Sequence, residues 1–310
     1  MSHRFAWLLR LISIALMLLA GSTARAQQGA TAEKPAASTT TAKTETSTGT
    51  GHRVFVCGHS FHTFIARHLA DMARDAGLTS HETLGAQFLG GSSVKQHWDL
   101  PAGKDKVKPA LESGKVDVLT LSPNWYVPDV AIGQFTELAL KHNPKTKIVV
   151  QVSWAAFDSD GFKPRITDNR ERDAKSLADI EHLLDLFHGV LELQAAQINK
   201  QHGRQVVTLA PVGTAVVKLR AKVIKGEAPG IKKQSDLFTD PIGHAQMPIV
   251  ALCSYVNYAT IYGKSPVGLK TFVNAKDPNS ASLQKLLQEI AWDTVTSYEP
   301  SGVKKDASAE

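Results

Sequence analysis

The chain has 310 residues and a formal net charge of +6; Arg4, Arg10 and Arg25 lie in the first 26 positions, so the remainder carries +3. Lysines are dispersed, the densest cluster being Lys104-Asp-Lys-Val-Lys108, which excludes a nucleic-acid footprint. The two cysteines, Cys57 and Cys253, read as an inward strand residue and part of a buried helix face, which favours free thiols over the disulfide an exported pair invites.

In chain order, residues 1–26 read as a secretory signal peptide. Arg4 and Arg10 give a positive start, residues 11–20 an apolar stretch, and Ala24-Arg25-Ala26 a small-x-small cleavage site. The stretch is short for a membrane span, so a cleaved signal is preferred to an anchor, and the mature chain is expected outside the cytoplasm, secreted or periplasmic. No later segment is long and apolar enough to span. Residues 27–50 hold ten Ser or Thr among 24 positions and no large apolar side chain, which predicts a disordered linker. Residues 301–310 predict a loose tail. Residues 51–300 remain, enough for one sizeable α/β domain.

Within that domain, strand and helix signals alternate as they do in a parallel sheet covered on both faces. Residues 54–57 predict the first strand. Phe61, Ile65, Leu69, Met72 and Ala76 recur at helical steps, predicting a helix over 62–76 that Gly77 stops. Residues 86–89 and 116–121 predict the next strands, the latter with Asp117 near the solvent edge. A helix from 128 to about 142 and a strand over 147–153 follow. One long helix is expected over 176–202, with Leu177, Ile180, Leu184, Phe187, Leu191 and Ile198 on its apolar face and Gly203 as its stop. After a fifth strand at 205–210 come a helix over 213–223, two loops, a helix ending at Tyr262, and a last amphipathic helix carrying Leu283, Leu287 and Ile290. The fold expected is a three-layer α/β/α sandwich around a five-stranded, mostly parallel sheet.

Chemistry concentrates at two places. The run Arg53-Val-Phe-Val-Cys-Gly-His-Ser-Phe-His62 ends a strand in glycine and puts Ser60 at the turn into a helix. A serine there stands above the carboxyl edge of the sheet, beside backbone N–H groups that can meet a developing negative charge. Serine is also a common helix N-cap, so this run alone leaves both roles open. Far downstream, Asp236-Leu-Phe-Thr-Asp240-Pro-Ile-Gly-His244 supplies a carboxylate and an imidazole just before an apolar helix. Serine needs a base to take its proton, and the imidazole needs a carboxylate to hold its tautomer.

These blocks resemble the SGNH hydrolases, the GDSL-type esterase superfamily, and within it the secreted bacterial branch with Gly-x-Ser-Phe in the first block. Gly58-His59-Ser60-Phe61 matches that block with Ser60 at the nucleophile position. Gly90-Gly91-Ser92-Ser93 matches the second, whose glycine N–H helps form the oxyanion hole. Val116-Asp-Val-Leu-Thr-Leu-Ser122-Pro-Asn124 leads to the oxyanion asparagine position, and residues 240–244 match the fifth block. The resemblance covers about residues 53–270. It implies a flavodoxin-like SGNH hydrolase fold with catalytic Ser60, His244 and Asp240, an oxyanion hole from Gly91 and Asn124, and no cofactor. The chain departs from the pattern at His59, where Asp or Asn is usual, and at Ser122 and Trp125. The family's acid lies three residues before the histidine, where this chain has Pro241; Asp240 lies four before. Either the loop bulges to keep the pair in reach, or a Ser-His dyad uses another partner.

Further candidates are weighed against packing. His52, His59 and His62 lack the Cys or carboxylate partners of a zinc site, so no metal is expected. Trp98, Trp125 and Trp154 fall just past strand ends; Trp125 and Trp154 are candidates for binding substrate, with Asp158 a further cleft candidate. The charged run 168–175 predicts a solvated loop. Polar segments at 92–97 and 158–163 predict a polar rim and hence short acyl esters, such as acetyl groups on carbohydrate, as substrates. The alternative is a non-catalytic carbohydrate-binding or surface-interaction protein on the same fold, motivated by the four-residue spacing and the altered third block.

Overall fold

The computed structural model describes residues 50–161 and 164–305. The predicted signal peptide, all but the last residue of the predicted linker, and residues 306–310 lie outside them. Strands β1 (Arg53–Gly58), β2 (Glu82–Phe88), β3 (Val118–Leu121), β4 (Lys147–Gln151) and β5 (Val207–Ala210) form one sheet in the order β2-β1-β3-β4-β5, every pairing parallel. The central strands are buried on both faces, so their sequences are runs of Val, Leu, Ile and Phe instead of alternating patterns.

Alternate strand residues face two separate cores. Val54, Val56, Val118 and Val149 pack on α1 (Ile65–Asp75), α7 (Val212–Ile224), α8 (Met247–Tyr262) and α9 (Ser280–Thr296). Phe55, Cys57, Leu119, Leu121, Ile148 and Val150 pack on α2 (Val94–Trp98), α3 (Val107–Glu112), α4 (Val130–His142) and α6 (Asp185–His202). This is the three-layer sandwich expected. Helix α8 is apolar all round because the sheet lies on one side and α9 on the other; every residue from Ala251 to Ile261 is buried. Cys57 and Cys253 are both free and buried.

Several boundaries differ from the pattern. The long helix expected over 176–202 is two pieces, α5 (Leu177–His182) and α6, separated at Leu183 and Leu184. Its apolar stripe serves two targets: Ile180 and Leu184 cluster with Val217 of α7, whereas Phe187, Leu191 and Ile198 face the sheet-side core. The run 168–175 is no solvated loop. Asp168 caps a 3₁₀ turn over Asn169–Ala174, and Arg172 within it is fully buried. Residues 301–305 are not loose as predicted, since Ser301 is buried, its hydroxyl donating to the Val295 carbonyl at 2.7 Å, and Val303 packs on the core. Helices α2 and α3 were not predicted; each is under two turns, too short for a periodic signal. Among the described residues no helix is long and apolar enough to cross a membrane.

Candidate active site

The carboxyl ends of β1, β2 and β3 bring three loops together. Residue Gly58 ends β1, and an added Cβ there would sit 2.9 Å from Ser122, so the neighbouring strand ends approach closely because it is glycine. The His59 carbonyl accepts from the N–H groups of His62 and Thr63 at 3.0 and 3.1 Å, turning the chain tightly before α1 begins at Ile65. Ser60 therefore does not cap the helix, whose N-cap is Phe64; its Oγ lies 3.0 Å from His244 Nε2. The buried His59 makes a local bond in this turn: its Nδ1 accepts from Phe61 N–H at 3.3 Å. That fixes the hydrogen of the neutral ring on Nε2, which faces Ser122 Oγ at 3.2 Å and the Pro123 carbonyl at 3.4 Å.

Asp240 and His244 meet despite their spacing. Asp240 Oδ2 accepts from His244 Nδ1 at 2.6 Å, while Oδ1 accepts from the backbone N–H of Gly243 at 2.9 Å and of His244 at 3.2 Å. Burial works against the Asp240 charge, but these hydrogen bonds outweigh it and hold the carboxyl below its usual value. With Nδ1–H committed to Asp240, His244 Nε2 is free to accept the Ser60 proton. Gly243 has φ +101°, a conformation that L side chains rarely adopt. The three carbonyls between acid and base are each held from outside the loop. That of Pro241 accepts from Arg172 Nη2 at 3.0 Å, Ile242 from Phe157 N–H at 2.9 Å, and Gly243 from Trp154 Nε1 at 2.9 Å. All three donors lie between β4 and α5. The loop bulges as the sequence left open, and this segment holds it.

The second and third loops lock onto each other. Asn124 Nδ2 donates to the Gly91 carbonyl at 3.1 Å, and Asn124 Oδ1 accepts from Tyr126 N–H at 3.0 Å. The Asn124 amide is thereby oriented with one N–H unspent on either bond. Leu89 N–H donates to the Gly58 carbonyl at 3.2 Å, setting the Gly90-Gly91 turn beside the Ser60 turn. Behind it, Gln87 Nε2 donates to His97 Nδ1 (3.0 Å), and the ring's Nε2 contacts Ser92 Oγ at 2.7 Å. Beneath Ser60, His62 Nδ1 donates to Gln151 Oε1 and Nε2 accepts from Thr120 Oγ1, each at 2.8 Å, while Gln151 Nε2 donates to the Phe61 carbonyl at 2.9 Å. Sequence alone did not single out Gln87, Gln151 or Arg172, and it put His97 in a polar rim; for Gln87 and Gln151 the available signal was a polar side chain inside an apolar strand pattern, and Arg172 offered none.

Burial drives these imidazoles to their neutral forms, His59 and His97 down to about 4 and His62 to about 3. Unfolding returns them to about 6.5, so between those limits the unfolded chain binds more protons and stability rises with pH. The melting temperature is therefore expected to be level above about pH 6.5 and to fall as pH drops toward 4, each histidine contributing a slope of up to about 1.4 kcal/mol per pH unit. Calorimetry across that range checks this; a flat profile would contradict it.

Some expected site residues are elsewhere employed. Trp154 is 3% exposed and stacks on Phe61 at 4.5 Å between centroids, so it supports the two loops and cannot face substrate. Asp158 is 1% exposed and paired with Arg220, so it does not face substrate. Trp98 packs on Phe135, whereas Trp125, stacked on Phe187, is only half-buried and keeps its place as a candidate. Among the described residues no group of three His, Cys, Asp or Glu side chains is placed to hold a metal.

The site's class is thus an α/β protein with a Ser–His–Asp hydrogen-bonded chain at the carboxyl edge of a parallel sheet. No protein-family model matches the chain, and no curated protein matches it. Among solved structures it is similar to a protein reported as an SGNH hydrolase from Slackia heliotrinireducens, at 15% identity over 67% of this chain and 97% of that one, TM-score 0.42. It is similar also to a GDSL-like lipase so described from Parabacteroides merdae (13%, 69% and 97%, TM-score 0.41). A third is phospholipase A1 from Streptomyces albidoflavus (9%, 68% and 99%, TM-score 0.38). At these overlaps the likenesses carry no argument about this chain's reaction.

Proposed function

We propose that the protein is an exported serine hydrolase acting on carboxylic esters. The observation that carries this reading is the unbroken chain from Ser60 Oγ through His244 Nε2 (3.0 Å) and Nδ1 to Asp240 Oδ2 (2.6 Å). Ser60 Oγ attacks the ester carbonyl while its proton passes to His244 Nε2. The electron pair displaced onto the carbonyl oxygen is held by the N–H groups of Ser60 and Gly91 and the spare N–H of Asn124. The intermediate collapses to an acyl-Ser60, and His244 hands the proton to the departing alcohol. Water then repeats the sequence on the acyl-enzyme, with His244 as base. Asp240 keeps the ring in the tautomer that both halves require. No cofactor enters. The signal-like residues 1–26 support export, secreted or periplasmic. The binding-protein alternative drew on the four-residue spacing and the altered third block; a 2.6 Å contact leaves the first of these motives without force.

The short-acyl expectation loses part of its premise. Of the polar segments it rested on, Ser92, His97, Asp158 and Ser159 are buried, Ser93, Lys95 and Gln96 are at least partly exposed, and residues 162 and 163 lie outside the described ones. The loops that carry site residues, with the strand and helix ends that adjoin them, also expose Phe88 (61%), Tyr126 (78%), Ile242 (38%) and Met247 (58%). An apolar acyl group suits such surroundings, each buried methylene being worth about 0.8 kcal/mol, or up to about fourfold in kcat/KM. The test is a fluorophosphonate label with peptide mapping, combined with nitrophenyl esters of increasing length. Labelling at Ser60, its loss in His244→Ala, and kcat/KM rising from two to about eight carbons are expected. Absence of both label and hydrolysis would overturn the hydrolase reading. Labelling with rates highest on acetyl would overturn only the acyl preference.

A further inference from the structure

We propose that Arg172 is a positioning residue of this site: its guanidinium, buried under the 238–244 loop, sets the bulge that brings Asp240 to His244. The inference rests on the hydrolase reading above and deepens it. A fully buried arginine is costly to keep unless its charge and donors are well used. The obvious partner does not account for it. Asp158 is already taken by both terminal nitrogens of Arg220, at 3.0 and 2.6 Å, and reaches Arg172 only at 3.5 Å from Nε, which has no hydrogen bond. What the Arg172 fork does hold is Asn169 Oδ1 at 3.2 Å and the Pro241 carbonyl at 3.0 Å, one residue from the acid.

The loop is shaped around that group. The guanidinium lies 4.5 Å from the Phe238 ring centroid on one side. On another, a Cβ built at position 243 would come within 2.9 Å of Nη2, so the fit requires glycine there. The neighbouring segment is strained as well: Phe157 and Asp158 have φ +57° and +44°, uncommon for residues with side chains, and Phe157 N–H is the donor to Ile242. Strain of this kind persists only where surrounding structure enforces it. Between them, Arg172 and Phe157 fix the carbonyls of the two residues that follow Asp240.

The full chain is compared as wild type, Arg172→Gln and Arg172→Lys. Arg172→Gln is expected to lower kcat on a nitrophenyl ester by about 10²-fold with KM little changed, the effect of misplacing a catalytic group. It should also abolish the far-downfield proton resonance of the His244–Asp240 hydrogen bond. Lysine keeps the charge but not the planar fork, so it should restore kcat only in part and bring back a weakened resonance. If Arg172→Gln fails to fold, Arg172→Lys carries the test by the same two readouts. Folded variants with wild-type kcat and an unchanged resonance would overturn the proposal. If wild type neither hydrolyses esters nor takes the phosphonate, the hydrolase reading fails, and the resonance alone still decides what Arg172 does.

Discussion

Ser60→Ala is expected to lower kcat/KM on nitrophenyl esters by about 10⁴–10⁶-fold while leaving the melting temperature nearly unchanged. The residual rate is what donors and binding supply without a nucleophile, since the N–H groups of Ser60 and Gly91 and the Asn124 amide survive the substitution. Stability should hold because Ser60 is only half-buried and its hydroxyl bonds to a partly exposed ring. His244→Ala should cost about as much, and the double variant no more than either, because the two residues act as a unit. Steady-state rates and thermal melts on the three proteins check this. Residual activity within about tenfold of wild type would mean that another group attacks the ester.

How much of this was legible in advance depended on how local the cause is. The first strand, the turn at Ser60 and the helix after it follow from neighbours a few residues apart, and each was read from sequence within a few positions. The parallel sheet and its two covers follow from apolar runs of strand length alternating with helical spacing. The Asp240–His244 contact was left open because its geometry depends on donors about 70 to 90 residues away, Arg172 and Trp154 among them. The same distance hides Arg172 itself. In sequence it sits in Asn-Arg-Glu-Arg-Asp, a run that reads as solvated, and its burial is explained by Asn169, Phe238 and Pro241. Trp154 was misjudged for a related reason: its position past a strand end was right, but the Phe61 ring and the Gly243 carbonyl turn it inward. The polar stretches at 92–97 and 158–163 misled in part, because Ser92 and His97 bond each other and Gln87, and Asp158 bonds Arg220, inside the protein.

Asp158→Ala is expected to destabilise the protein by about 3–5 kcal/mol, the cost of leaving buried charge unpaired. For a domain of this size that corresponds to a melting temperature lower by about 10 °C. The carboxylate is 1% exposed between Arg172 and Arg220, themselves 0% and 3% exposed, so its removal leaves Arg220 without its carboxylate partner and takes the nearest negative charge from Arg172. By contrast, breaking the Arg53–Asp117 pair, whose side chains are about one-third exposed, should cost no more than about 1 kcal/mol. Melts of the two variants side by side test the difference, and equal shifts would mean that water reaches the inner cluster. A further substitution separates stability from positioning. Replacing Asp158, Arg172 and Arg220 together by apolar residues of similar volume removes all three charges at once, and such replacements are often neutral or stabilising. The melting temperature should then recover while kcat stays low, because no apolar side chain can donate to the Pro241 carbonyl. Recovery of both would mean that the charged cluster serves the fold alone and that the loop finds its own shape.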